Sequence, residues 1–192
     1  MRISRGIYRK LCKRYDEDYQ AHCLTFSCFR GQSLLSKDRC IMWFTSALAR
    51  ARTKCGFDLW AYVIMPEHVH LVLMPHQAVA ISRILYHVKK PVTTWAVGWL
   101  RRNAPQHLHC LEDRQPSGAV AHRFWQRGGG YDRILRSVSD IHEKIQYVHA
   151  NPVRRGLVEE PSKWRWSSFR AWQDGIDDPV PIDRETLPQL RL

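Results

Sequence analysis

Two histidines separated by one apolar residue, His68-Val69-His70, open an apolar run that continues through Leu71-Val72-Leu73-Met74 to Pro75. In an extended strand the side chains alternate between faces, so both imidazoles project to one side, about 7 Å apart at Cβ, while Val69 and Leu71 point to the other. Such a pair can grip a divalent metal. Neutral imidazole suits zinc, manganese or iron, and the pleat brings the two rings together at little entropic cost. The spacing is also compatible with two partly buried strand histidines hydrogen-bonded to backbone.

The next reactive group lies far along the chain, in a segment whose periodicity predicts a helix over residues 138–150. Val138, Ile141, Ile145 and Val148 form its apolar stripe. At about 100° per residue, Tyr147 and Asn151 lie roughly 100 to 140° round from that stripe, near Asp140 and Lys144. Four residues apart, they share a face, so a phenol hydroxyl and an amide oxygen can converge on one point. In Asn151-Pro152-Val153-Arg154-Arg155-Gly156, Asn151 also suits the N-cap of a short turn starting at Pro152.

Other segments must position these residues. A strand is expected over residues 22–29 and an amphipathic helix over 34–54, with Gly56 as its stop. A hairpin follows, with strands 57–65 and 68–74 turned by Pro66-Glu67. A second helix runs over 79–100, broken or kinked at Pro91. Residues 103–121 show little periodicity and read as a loop or insertion. Residues 122–126 read as a last strand and Gly128-Gly129-Gly130 as a flexible joint. The fold class is therefore α+β: a ferredoxin-like split βαβ antiparallel sheet with helices on one face, plus an extra helix carrying the tyrosine. The expected organisation is a basic N-terminal arm at 1–18, a single domain at 19–175, and a C-terminal tail at 176–192.

Over 192 residues, 30 Lys and Arg stand against 18 Asp and Glu, a formal charge of +12. That balance implies a polyanionic partner. Nucleic acid is favoured over a membrane surface because the cations are spread along the chain instead of gathering on one amphipathic helix. Arg5, Arg9, Lys13 and Arg14 form one candidate contact group, Arg101 and Arg102 a second, and Arg154 and Arg155 with Lys163, Arg165 and Arg170 a third. The six cysteines, at 12, 23, 28, 40, 55 and 110, make no C-x-x-C pair, and the N-terminus has no long apolar run. A reduced, cytoplasmic protein without a membrane span is the expectation.

Two blocks carry a family resemblance: Ala61-Tyr62-Val63-Ile64-Met65-Pro66-Glu67-His68-Val69-His70-Leu71-Val72-Leu73, and Tyr147-Val148-His149-Ala150-Asn151-Pro152-Val153-Arg154-Arg155-Gly156, with Trp166-Ser167-Ser168 beyond. Together they resemble the single-tyrosine HUH transposases, and more narrowly the REP-associated tyrosine transposases, over about residues 22–172. The resemblance implies that His68 and His70 bind Mg²⁺ or Mn²⁺ with Asn151 as third protein ligand. It implies that Tyr147 is the nucleophile, attacking a DNA phosphodiester to leave a 5′-phosphotyrosine and a free 3′-hydroxyl. A second hydroxyl end can reverse the step, so cleavage and strand transfer use the same groups. Metal-bound water and Lys144 are candidates for removing the phenol proton; Lys144 otherwise reads as a solvated helix residue.

The implied partner is single-stranded or hairpin DNA, engaged by a monomer or homodimer. Trp164, Arg165, Trp166 and Arg170 interleave rings and cations as a surface for unpaired bases would. Alternation in Trp164-Arg165-Trp166 would instead bury both rings on one strand face. Glu67 stands where the resemblance leads one to expect a neutral turn residue such as asparagine, and solvent exposure is its simplest role. His107-Leu108-His109-Cys110 repeats the H-x-H spacing beside a thiol but lacks an obvious fourth zinc ligand. Two other functions share these features: a catalytically inactive hairpin-binding protein, and a metal-dependent hydrolase that does not use the tyrosine.

Overall fold

A computed structural model describes residues 20–76 and 79–190. The expected basic arm, with Arg5, Arg9, Lys13 and Arg14, lies outside the described residues. In chain order the elements are β1 (Ala21–Ser27), α1 (Asp38–Cys55), β2 (Phe57–Ile64), β3 (His68–Pro75), α2 (Ile81–Asn103), β4 (Glu112–Arg114), β5 (Val120–His122), β6 (Tyr131–Leu135), α3 (Val138–Arg154) and α4 (Phe169–Asp174). The main sheet is antiparallel in the order β2-β3-β1-β6, while β4 and β5 form a separate hairpin. This is the ferredoxin-like α+β arrangement expected from the sequence.

Alternation along β3 decides how the layers assemble. Val69, Leu71 and Leu73 join Leu24 and Phe26 of β1 in a core roofed by α1 and α2, including Phe44, Leu48, Ile84 and Val88. Val72 faces the other way, into a second core where Ile141, Ile145 and Val148 of α3 meet Trp60, Ala61, Val63 and Cys23. The tyrosine-bearing helix thus occupies the face of the sheet opposite α1 and α2. Burying one such aliphatic side chain contributes about 1.5 to 3 kcal/mol, so this stripe fixes where α3 docks.

The ends of α1 and α3 follow their sequence signals. Gly56 closes α1 at φ 68° with its N–H on Arg52 O, a left-handed cap that glycine takes without steric cost. Ser137 caps α3 by accepting the Asp140 N–H. At its other end Gly156 N–H reaches Val153 O and Leu157 N–H reaches Pro152 O, the Schellman pattern. α3 therefore runs through Pro152, and Asn151 is inside the helix, not the N-cap of a new turn.

Four other expectations change. Helix α2 is continuous through Pro91. A proline costs about 3 kcal/mol in a helix interior, but Ile84, Leu85, Val88, Val92 and Ala96 are buried on both sides of it and outweigh that. The last strand is β6, not residues 122–126. There Phe124 and Trp125 turn inward, with Trp125 stacked edge-on to Phe26 at 5.1 Å, and only a single bridge joins Trp125 to Cys28. The 103–121 region contains a 3-10 turn (Pro105–Leu111) and the β4–β5 hairpin, tied down by Asp113 accepting from Arg123 and Arg127.

Gly128-Gly129-Gly130 is not a loose joint either. A Cβ on Gly130 would lie 2.0 Å from Thr25 O and 3.0 Å from Phe26 Cα, and φ is +77°, so the loop is seated against β1 where only glycine fits. At the C-terminus, residues 176–190 pack on the domain through buried Val180, Ile182 and Leu187. Asp183 accepts from Arg52 and from Leu59 N–H, which seals part of the β2 edge. Among the described residues, Cys23, Cys28, Cys40, Cys55 and Cys110 are free thiols, and no helix is long and apolar enough to cross a membrane.

Candidate active site

The histidine pair begins β3 on the α3 side of the sheet. His68 Nε2 and His70 Nε2 are 3.0 Å apart, and their rings meet edge to face with centroids at 4.7 Å. Each outer nitrogen has its own partner. His68 Nδ1 donates to Glu67 Oε1 at 3.1 Å. His70 Nδ1 is 2.8 Å from the hydroxyl of Thr25, its cross-strand neighbour in the β1–β3 register. The carboxylate requires a hydrogen on His68 Nδ1 and so leaves Nε2 with its lone pair. The hydroxyl can accept from or donate to His70, so Nε2 of that ring can share a proton with its partner or offer its lone pair.

Burial pulls both rings toward the neutral state. For His68 desolvation outweighs the opposing pull of Glu67. For His70, only 5% exposed, burial and then the neighbouring His68 lower the value to about 3. Two neutral imidazoles with converging Nε2 atoms and anchored Nδ1 atoms are a donor set that fits a divalent cation. Among the described residues no three His, Cys, Asp or Glu converge, so a further protein donor here has to be of another type.

Tyr147 meets this pair directly. Its ring stands perpendicular to His70, with centroids 5.9 Å apart and an interplanar angle of 89°, and the residue is 38% exposed. A phenol at this place faces His70 on one side and solvent on the other. Two cations flank the ring: the Arg154 guanidinium carbon at 5.0 Å and Lys144 Nζ at 5.7 Å from its centroid. Lys144 is not a freely solvated side chain; it is 15% exposed and paired with Glu143 at 2.7 Å. These cations place positive charge beside the phenol ring.

Asn151 is buried one turn beyond Tyr147, and its Nδ2 donates to Tyr147 O at 2.8 Å. That bond uses the amide nitrogen and leaves Oδ1 as the acceptor. Among the described residues no hydrogen bond joins Asn151 to either imidazole, so it meets the cluster through the tyrosine's own backbone. Glu67 does not face solvent. Its Oε1 also accepts from Arg155 at 2.8 Å, linking the C-terminal end of α3 to the β2–β3 turn.

The remaining candidates separate from the cluster. Arg101 and Arg102 are exposed at the end of α2. Trp164 packs toward the α3 core and donates to Ile64 O at 3.1 Å, whereas Trp166 packs toward the α1–α2 core beneath Arg165. The two rings do not share a strand face, because the chain bends at Arg165 and Trp166 before bridging the β2 edge at Ser167. Arg165 and Arg170 both approach Asp178, at 3.9 and 3.7 Å. His109 is occupied by Gln106 O and Cys110 beside it is a free thiol.

Three supporting residues carried no signal of their own. Thr25 is one polar residue in a strand, and only the β1–β3 register sets it opposite His70. His149 reads as part of a motif without a role. It is 6% exposed and bonds through Nε2 to Ser168 Oγ at 2.8 Å, while that oxygen accepts from Tyr62 N–H. This buried node fastens α3 to β2 two residues from the tyrosine. Gly130, pressed on Thr25, is the third.

A split βαβ antiparallel sheet with paired histidines on its inner strand and a tyrosine delivered from a helix on the open face is the arrangement expected of a single-tyrosine transposase. The comparisons with known proteins agree. The chain is similar to a protein of Haemophilus influenzae named as a REP-associated tyrosine transposase, 26% identical over 150 residues and spanning 78% of each chain. It is likewise 26% identical over 139 residues to the REP-associated tyrosine transposase of Escherichia coli K12, covering 71% of this chain and 68% of that one. A solved REP-associated tyrosine transposase bound to a REP hairpin shares the fold, with a TM-score of 0.67 at 19% identity over 96% of this chain and 99% of the other. No family model matches. The resemblance read from the two sequence blocks therefore holds across most of the chain.

Proposed function

We propose that this protein cleaves and rejoins single-stranded DNA beside REP-like hairpins, with Tyr147 as the nucleophile. The observation that carries the reading is the edge-on approach of Tyr147 to His70, with His68 Nε2 3.0 Å from His70 Nε2. Similarity to REP-associated tyrosine transposases, one of them solved with a REP hairpin, supports the choice of substrate.

The chemistry follows from these side chains. The phenol oxygen attacks phosphorus, the phosphodiester bond to the 3′ oxygen breaks, and that oxygen leaves as a hydroxyl once protonated. The tyrosine then carries the 5′ phosphate. One ester replaces another, so a hydroxyl end of a second strand can displace Tyr147 and restore a phosphodiester. Lys144 and Arg154 hold the phosphate's charge beside the ring, and Lys144 is one candidate for taking the phenol proton.

His68 and His70 would hold a Mg²⁺ or Mn²⁺ ion, with Asn151 Oδ1, the amide atom not used in the bond to Tyr147 O, as a third protein donor. Such an ion, when bound, withdraws charge from the nonbridging phosphate oxygens. Glu67 and Thr25 orient the two rings from outside, and the neutrality imposed by burial keeps their lone pairs available.

The test is incubation of the protein with a hairpin oligonucleotide carrying an unpaired 5′ extension. A covalent protein–DNA adduct that forms in the wild type and is lost in Tyr147→Phe supports the reading. Binding without an adduct refutes the catalytic part, and divalent-dependent cleavage that survives Tyr147→Phe refutes the covalent step.

A further inference from the structure

Positive charge is distributed unequally between the two sides of the sheet. On the tyrosine side Arg155 pairs with Glu67, Arg133 with Asp140 and Lys144 with Glu143, while at the β2 edge Arg165 and Arg170 approach Asp178. On the opposite side α1 and α2 together carry nine Lys and Arg and one acid, Asp38. Arg39, Arg50, Arg83, Lys90, Arg101 and Arg102 are all exposed there, and none of the six is in an ion pair among the described residues. Positive charge without an acidic partner is thus gathered on the α1–α2 layer.

Two of these arginines are held in place. The Arg39 guanidinium lies 3.8 Å from the Trp99 ring centroid and that of Arg50 lies 5.6 Å from Trp95, each reaching from α1 across to α2. Stacking fixes the guanidinium plane while leaving its N–H edges free. The rings are thereby covered and only part-exposed, so the surface offers cations to phosphates, not open faces to bases. The patch also reaches the active end of the sheet. Leu35 N–H, just before α1, bonds to Pro66 O in the turn that carries Glu67 and His68, and Arg39 on Trp99 brings the end of α2 alongside.

We propose that the outer face of the α1–α2 layer is a docking surface for the phosphate backbone of duplex DNA. It holds the paired stem of the substrate while an unpaired strand passes round the β2–β3 turn to Tyr147. The identity of the duplex as a hairpin stem rests on the function proposed above. The surface itself rests on the unpaired cations. Contacts of this kind carry no sequence information but set register, and their affinity falls steeply with salt.

The probe is a blunt DNA duplex of unrelated sequence, titrated by fluorescence anisotropy at several salt concentrations. Each lost phosphate contact lowers the slope of log affinity against log salt by about 0.9. Replacing Arg39, Arg50, Arg101 and Arg102 together with glutamine should reduce the slope by about 3.6 and weaken binding at least about tenfold. Arg101→Gln with Arg102→Gln alone, at exposed positions, should reduce it by about 2. Arg39→Lys with Arg50→Lys should retain the slope. Tyr147→Phe should leave duplex binding unchanged, so failure of the cleavage reading would not mimic failure here. An unchanged slope in both glutamine variants, no duplex binding by the wild type, or an equal loss on neutralising Arg154 and Lys163 instead would overturn the proposal.

Discussion

Replacing Gly130 with alanine tests how the sheet supports the histidines. The added Cβ would stand 2.0 Å from Thr25 O, where a carbon and an oxygen need about 3.2 Å, so the loop or β1 must give by more than 1 Å. The φ of +77° adds about 1 kcal/mol for a residue with a Cβ. Together these predict a loss of about 3 kcal/mol, or roughly 6 to 12 °C in Tm for a chain of this size. Gly128 is the internal control. It has φ +88° with nothing within 4 Å of its Cβ, so Gly128→Ala bears the conformational cost alone, about 1 kcal/mol. The functional arm follows from Thr25, whose hydroxyl holds His70 Nδ1 at 2.8 Å. Displacing it should lower divalent-cation affinity and hairpin cleavage by about tenfold, as loss of an outer partner of a ligating histidine does. Thermal melts, metal titration calorimetry and single-turnover cleavage of the two variants are the assays. If Gly130→Ala melts where Gly128→Ala does, the contact with β1 is not the one described and the link to His70 fails with it.

Glu67→Gln should cost less than about 1 kcal/mol of stability, because Arg155 is largely exposed, but should weaken cation binding about tenfold by loosening the His68 tautomer; equal losses in both quantities would contradict this division. The His149 imidazole is held down to about 4 by burial, whereas an unfolded chain titrates near 6.5. Between those values the unfolded state binds the extra proton, so stability of the metal-free protein falls as pH drops from 6.5 toward 4. In His149→Gln the slope of unfolding free energy against pH should shrink by about one proton, and an unchanged slope would show that His149 is not the group responsible. Asp183→Ala removes the acceptor of Arg52 and of Leu59 N–H and should lower stability by about 1 to 2 kcal/mol without changing the cleavage rate; a lost rate would mean the β2 edge reaches the site.

The sequence alone determined the local facts. Alternation put His68 and His70 on one face of a strand, the 3.6-residue period separated Tyr147 from the stripe of Ile141, Ile145 and Val148, and Gly56 marked the end of α1. These depend on residues near one another in the chain, where backbone geometry is the only constraint. The order of elements was enough for the ferredoxin-like topology.

Tertiary structure decided what the histidines face. Their side of β3 became the candidate site because the α3 stripe finds its apolar match in Trp60, Ala61, Val63 and Val72, and that docking brings Tyr147, not Asn151, against His70. Thr25, Glu67, Arg155 and Gly130 acquired their places through strand register and loop seating between residues distant in sequence. Phe124 and Trp125 read locally as a strand, yet the aromatic core around Phe26 and Phe44 claimed their rings. Periodicity says which side chains travel together, but only the burial of complementary apolar surfaces says against what they come to rest.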